Sequence, residues 1–193
     1  LGSGAFGEIY QGFGLALRET VALKFERAGI ECPQLRHEYK LYRELSEVEG
    51  LPRVHHFGSY DSAYVMVMDK LGPSLQDMLD KCGGKFSLET SLKLADRMLE
   101  RLELVHEHGT IHRDLKPGNM LMESMVGTKL FFIDFGLARR WRNPLTQQHI
   151  PINYGNAMMG TPRFASINNH RGVQLSRRDD VESIAYMLVY FLR

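Results

Sequence analysis

Asp114, Lys116, Asn119 and Asp134 lie within one short stretch, IHRDLKPGNMLMESMVGTKLFFIDFG at 111–136. Asp114 and Asn119 belong to the block HRDLKPGN, and Asp134 opens the block DFG. Two carboxylates and a carboxamide that converge offer the hard oxygen ligands that Mg²⁺ takes. A lysyl or acidic group beside them suits transfer of a phosphoryl group to a hydroxyl. Convergence needs a strand, a turn and a strand between the blocks. Asn119-Met120-Leu121-Met122, a turn around Gly127, and Leu130-Phe131-Phe132-Ile133 have that pattern. A hairpin there brings Asp114, Asn119 and Asp134 to one mouth.

Other elements must hold a nucleotide over that mouth. Gly2, Gly4 and Gly7 form GxGxxG in LGSGAFGEIY, a motif shared by two phosphate-binding architectures. The dinucleotide-binding version needs a helix after the glycines. Here Glu8-Ile9-Tyr10-Gln11-Gly12 alternates like a strand, and Glu19 to Phe25 reads as a second strand. That context suits a glycine loop on antiparallel strands, whose backbone N–H groups cover phosphates. In isolation an ordinary glycine-rich hairpin turn is the favoured reading, but not once the following blocks are taken with it.

Val21-Ala22-Leu23-Lys24 sets a lysine among apolar neighbours, where it needs an anionic partner. An exposed edge-strand lysine is the competing reading. Residues 33–48 read as a helix with Pro33 in its first turn. Leu35, Tyr42 and Leu45, with Tyr39 and Leu41, form its apolar face. Glu38, fourteen residues after Lys24, is the candidate partner. Glu44 and Glu47 are further along the helix. Pairing of Glu38 with Arg36 or Lys40 is the ordinary surface alternative.

Val54 to Tyr60 and Tyr64 to Met68 read as strands, and Asp69-Lys70-Leu71-Gly72-Pro73 as a linker between a small β-rich lobe and a helical one. His55 and His56, adjacent on a strand, face opposite ways and so read as structural. Ser74 to Lys81 reads as a short helix ending near Gly83-Gly84. Ser87 caps a long helix with Glu89 in its first turn. Its expected core face is Leu88, Leu92, Ala95, Leu99, Leu102 and Val105. His106 and His108 near its end fit the helix dipole. Residues 137–172 are polar, long and aperiodic, which in a compact domain marks a functional segment. Ser176 opens a helix apolar on almost every side, expected to be fully buried.

The chain has 193 residues, 44% hydrophobic and 24% charged, with a net charge of +1. These values suit a globular protein and give no nucleic-acid or membrane surface. No apolar run reaches the roughly 18 residues of a membrane-spanning helix, and no signal peptide is visible. The two cysteines, Cys32 and Cys82, have no metal-ligand spacing and read as reduced thiols of a cytoplasmic and/or nuclear protein. Leu1 sits directly against the glycine loop, and the apolar helix ends the chain with its expected partners missing. Both features read as truncation.

Taken in order, these blocks match the protein-kinase signature set. The chain resembles eukaryotic protein kinases and, more narrowly, the casein kinase 1 family. The narrower likeness rests on Leu71-Gly72-Pro73-Ser74-Leu75, Gln148-His149-Ile150-Pro151, Ala165-Ser166-Ile167-Asn168 in place of Ala-Pro-Glu, and Ser176-Arg177-Arg178-Asp179-Asp180. The resemblance implies an α+β bilobal fold, truncated at both ends. It has an N-lobe over 1–68 without its first strand, a hinge over 69–72, and a C-lobe over 73–193 without its last helices.

The resemblance also implies roles. Gly2, Gly4 and Gly7 cover the phosphates of ATP; Lys24, tethered by Glu38, holds them. Asp114 accepts the substrate proton and Lys116 neutralises charge. Asn119 and Asp134 hold Mg²⁺, and Asp180 braces the catalytic loop. Leu1, Ile9, Ala22, Met68, Leu71, Leu121 and Ile133 line the adenine pocket. Partners are protein substrates with Ser or Thr near acidic or phosphorylated residues, met by an anion site at Arg163 and Arg139; the protein acts as a monomer. Asn156 replaces a usual lysine, Gly118 a usual aspartate and Ala185 a usual glycine. Thr146 and Thr161 fall in the activation segment, where the family generally needs no phosphorylation. The competing readings are a non-catalytic nucleotide-binding fragment and a dinucleotide-dependent oxidoreductase, which fails on the strand after the glycines.

Overall fold

The computed structural model describes residues 2–4, 7–27, 29–30 and 33–193. Leu1, named for the adenine pocket, and Cys32 lie outside them. The architecture is α+β in two lobes. The first carries a five-stranded antiparallel sheet in the order β1-β2-β3-β5-β4. Its strands are β1 (Gly2–Gly4), β2 (Gly7–Gly14), β3 (Glu19–Arg27), β4 (Val54–Tyr60) and β5 (Ala63–Asp69). Within the glycine stretch β1 and β2 pair antiparallel, with Gly4 opposite Gly7. A Cβ at Gly7 would overlap the carbonyl oxygen of Phe25, so β3 leaves room there only for glycine.

One helix, α1 (Leu35–Glu44), packs on this sheet. It is shorter than the expected 33–48. Pro33 precedes the N-cap residue Gln34, and at the far end Leu45 leaves helical geometry at φ −97°, ψ 16°. Leu35, Leu41 and Tyr42 are buried as the apolar spacing requires, and Glu38 is buried with them.

The connection out of β5 is fastened to the second lobe. The Gly72 N–H donates to the Met122 carbonyl at 2.8 Å, and the Met122 N–H to the Pro73 carbonyl at 2.9 Å. There follow α2 (Leu75–Lys81), α3 (Leu88–Glu107), β6 (Thr110–Ile111), β7 (Met120–Met122), β8 (Leu130–Phe132), β9 (Arg139–Arg140), α4 (Ile167–His170) and α5 (Arg177–Leu192). Ser74 and Asp77 cap α2 reciprocally, and Ser87 accepts the Thr90 N–H at the start of α3. β7 and β8 form the expected antiparallel hairpin, and β6 pairs with β9.

Two helix faces differ from expectation. On α3 the core side is Ser91, Leu94, Met98, Leu102 and Val105, whereas Leu88 and Leu92 are 62% and 60% exposed and Leu99 is exposed too. The helix carries two leucine rows that merge near its C-terminus. Residues two apart, such as Leu92 and Leu94, lie about 200° apart around the axis, so only one row can face inward. On α5, Ile184, Met187 and Phe191 are buried, but Val181, Ala185, Val189 and Leu192 are exposed. The helix is buried on one side rather than all round. His106 also departs from the dipole explanation: its Nε2 donates to Asp180 Oδ2 at 2.9 Å, while His108 does cap a carbonyl, that of Leu104, at 2.8 Å. Among the described residues no helix is long and apolar enough to cross a membrane, and Cys82 is an exposed free thiol.

Candidate active site

The loop after β6 is shaped by a carboxylate beneath it. Asp180 of α5, almost fully buried, accepts the His112 N–H on Oδ2 at 2.8 Å and the Arg113 N–H on Oδ1 at 2.9 Å. Arg113 takes a left-handed backbone, φ 69°, so the chain reverses there and presents Asp114. His112 has no exposed surface. The Asp114 N–H donates to its Nδ1 at 3.3 Å, so its proton is on Nε2, 2.9 Å from the Ile133 carbonyl. One imidazole thus ties the loop to the strand leading into Asp134.

Asp114 is 7% exposed, and both of its oxygens are engaged. Oδ1 accepts the N–H and the hydroxyl of Thr161, each at 2.8 Å. Oδ2 accepts Lys116 Nζ at 2.7 Å and Asn119 Nδ2 at 3.3 Å. Lys116 also reaches Thr161 Oγ1 at 3.1 Å. The Asn119 amide nitrogen bonds the Asp114 carbonyl at 3.0 Å. Its carboxamide oxygen has no hydrogen-bond partner among the described residues. It is therefore available to a cation.

Lys24 bridges the lobes, donating to Glu38 Oε2 at 2.7 Å and to Asp134 Oδ1 at 2.8 Å. Burial alone would lower its pKa, but Glu38 and Asp134 outweigh that and hold it above the usual lysine range. Burial likewise opposes ionisation of Asp134, and the Lys24 charge and hydrogen bond overcome it, keeping this carboxyl below its usual value. Asp134 has left-handed backbone geometry, φ 67°, ψ 66°, and its N–H donates to the Tyr42 hydroxyl at 3.1 Å. A lysine clamped to two carboxylates, beside a third carboxylate and an amide oxygen, is an arrangement suited to phosphoryl transfer.

Comparison with known families agrees with this geometry: the protein kinase domain model matches residues 1–193. The chain belongs to the protein kinase domain family. Kinases of this family transfer phosphoryl groups and generally use ATP with Mg²⁺.

Around this cluster, Gly2 and Gly4 are in β1, and Gly7 and Ile9 are in β2. Ile9 is opposite Lys24, and Ala22 is opposite Met68. Leu121 bridges to Ser74, which brings β7 against the connecting segment that contains Leu71. The Ile133 N–H donates to the Asn119 carbonyl at 3.0 Å. The two basic residues expected to share an anion site are held differently. Arg163 is exposed, with its guanidinium 5.4 Å from the Tyr190 ring centroid. Arg139 is exposed in β9 and acts on Arg113 instead. Burial and the Arg139 charge lower the Arg113 pKa to about 10, against the pull of Asp180.

Thr161 and Arg113 are the site residues that sequence reading missed in these roles. Thr161 lies 47 residues from Asp114. Only the Gly160-Thr161-Pro162 run hinted at a constrained turn. Gly160, at φ 74°, allows it: a Cβ there would stand 2.7 Å from the Arg113 carbonyl oxygen and 2.9 Å from Asp114 Oδ1.

Proposed function

We propose that this kinase domain transfers the γ-phosphoryl group of ATP to Ser and Thr hydroxyls of protein substrates, in the manner of the casein kinase 1 family. The observation that carries the reading is the Asp114 carboxylate held between Lys116 and Thr161. Asp114 accepts the proton of the substrate hydroxyl. Lys116, 2.7 Å from that carboxylate, neutralises charge that develops beside it. Lys24, kept protonated and positioned by Glu38, supplies a fixed positive charge for the phosphates. Bound ATP with Mg²⁺ supplies the transferable group and the divalent charge that stabilises it. Asn119 and Asp134 would hold the cation through hard oxygens, which fits the unused carboxamide oxygen of Asn119.

In this reading the glycines at 2, 4 and 7 cover the phosphates. Leu1, Ile9, Ala22, Met68, Leu71, Leu121 and Ile133 enclose the adenine. Residues 1–68 and 73–193 are the lobes, and 69–72 is the hinge. Arg163, and Arg139 with Arg113, offer anion contacts that suit acidic or phosphorylated substrates. The test uses peptides identical except for one Ser, Thr or Tyr acceptor, with Asp134→Asn as control. Labelled phosphate is expected on Ser and Thr only, and none with the variant; labelling of Tyr would overturn the specificity. A second reading, nucleotide binding without catalysis, is favoured by the exposed apolar rows Leu88, Leu92 and Leu99 on α3 and Val181 and Val189 on α5. ATP binding with no transfer to any acceptor would establish it.

A further inference from the structure

Helix α1 carries Glu38 but does not cap itself. Its N-cap Gln34, at φ −117°, ψ −26°, has no side-chain capping bond, and its first N–H groups have no helical carbonyl to meet. The missing acceptor comes from the sheet. Glu26 of β3 accepts the N–H of Gln34 at 2.6 Å and that of Leu35 at 2.9 Å, both on Oε1. Glu26 is 1% exposed. A carboxylate at a helix N-terminus also complements the helix dipole.

Glu26 is two residues beyond Lys24, so both side chains leave the same face of β3. That face therefore presents a cation and then an anion. The helix answers with the Glu38 carboxylate and its positive N-terminus. Two contacts fix both the position of α1 and its rotation about its axis; the Lys24–Glu38 pair alone fixes a single point. The helix is also joined to the segment around Asp134. His37 Nε2 donates to the Ala138 carbonyl at 2.8 Å, and Gln34 Oε1 stands where a Cβ on Gly136 would meet it at 2.7 Å.

We infer that Glu26 is a positioning residue of the phosphotransfer site: it clamps the N-terminus of α1 so that Glu38 meets Lys24. The inference rests on the proposed role of Lys24. The second carboxylate oxygen of Glu26 is buried with no partner among the described residues. Only the accepting oxygen is used, so glutamine can keep both bonds, while alanine loses them.

The test compares wild type, Glu26→Ala and Glu26→Gln by amide hydrogen exchange without nucleotide and by ATP turnover. Loss of a cap of this kind gives roughly a five- to ten-fold effect. Glu26→Ala is expected to speed exchange across Leu35–Glu44 by that factor, with α3 unchanged. The same variant is expected to raise the KM for ATP by a similar factor, with a smaller fall in kcat. Glu26→Gln is expected to restore both within about two-fold. Unchanged exchange in α1, equal acceleration in α3, or failure of glutamine to restore what alanine loses would overturn the inference. Exchange confined to α1 in a protein whose wild type transfers no phosphate would leave the clamp standing and refute the catalytic reading.

Discussion

Thr161 donates both its backbone N–H and its hydroxyl to the same oxygen of Asp114, each at 2.8 Å. The segment carrying Thr161 thus sets the orientation of the carboxylate proposed as the base. Thr161→Val keeps the shape and the N–H bond but removes the hydroxyl. It is expected to lower kcat about ten-fold, equivalent to roughly 1.4 kcal/mol in the barrier, and Thr161→Ser is expected to recover most of the loss. Steady-state kinetics with a Ser peptide check this; wild-type kcat in the valine variant would refute it.

Asp180 joins the loop after β6 to α5 by accepting the N–H groups of His112 and Arg113 and the Nε2 proton of His106. In Asp180→Asn the amide NH₂ must face at least one of these donors. The expected cost is about 2 kcal/mol, a fall in Tm of roughly 4–8 °C for a domain of this size. Thermal denaturation measures it, and a Tm within about 1 °C of wild type would contradict the bracing role.

The pH dependence of the Lys24 cluster has a definite sign. Lys24 is raised, so its contribution is complete below its ordinary pKa of 10.5 and fades only above that. Asp134 is lowered, so its contribution is complete above its ordinary 3.8 and is lost as pH falls through the lower folded value. Both are constant at neutral pH. Lys24→Met leaves Glu38 to burial and the Asp134 charge, which already push its carboxyl up. A raised carboxyl stabilises the fold at acid pH and loses that contribution as pH rises. The methionine variant is therefore expected to lose roughly 4 °C of Tm relative to wild type between about pH 5 and about pH 8. A parallel pH profile would contradict it.

Burial disfavours the Arg113 charge, and repulsion from Arg139 adds to the cost. An anion between them relieves it. Sulfate is expected to raise the wild-type Tm by about 2 °C beyond a chloride control, with no gain in Arg139→Ala. An equal gain in both proteins would place the anion elsewhere.

Much of the site was legible because its chemistry sits in contiguous blocks. HRDLKPGN and DFG, with the hairpin between them, needed only local strand pairing to bring Asp114, Asn119 and Asp134 into one region. Lys24 and Glu38 were legible because a lysine among apolar neighbours demands an acid. Thr161 was not legible, since its contact with Asp114 depends on a long aperiodic segment folding back at Gly160. Nor was Glu26: it reads as a strand-end charge until α1 is seen to lack its own cap. The α3 core face was misread because Leu88, Leu92 and Leu99 have the same helical spacing as the row that is buried.

The most direct test of the catalytic reading is single-turnover transfer to a Ser peptide by Asp114→Asn, with ATP affinity measured in parallel. The asparagine cannot accept the hydroxyl proton, yet it keeps the size of the side chain. Transfer is expected to fall by at least about 10²-fold, with ATP affinity within about two-fold of wild type. Transfer at the wild-type rate would remove Asp114 from the chemistry and contradict the central claim.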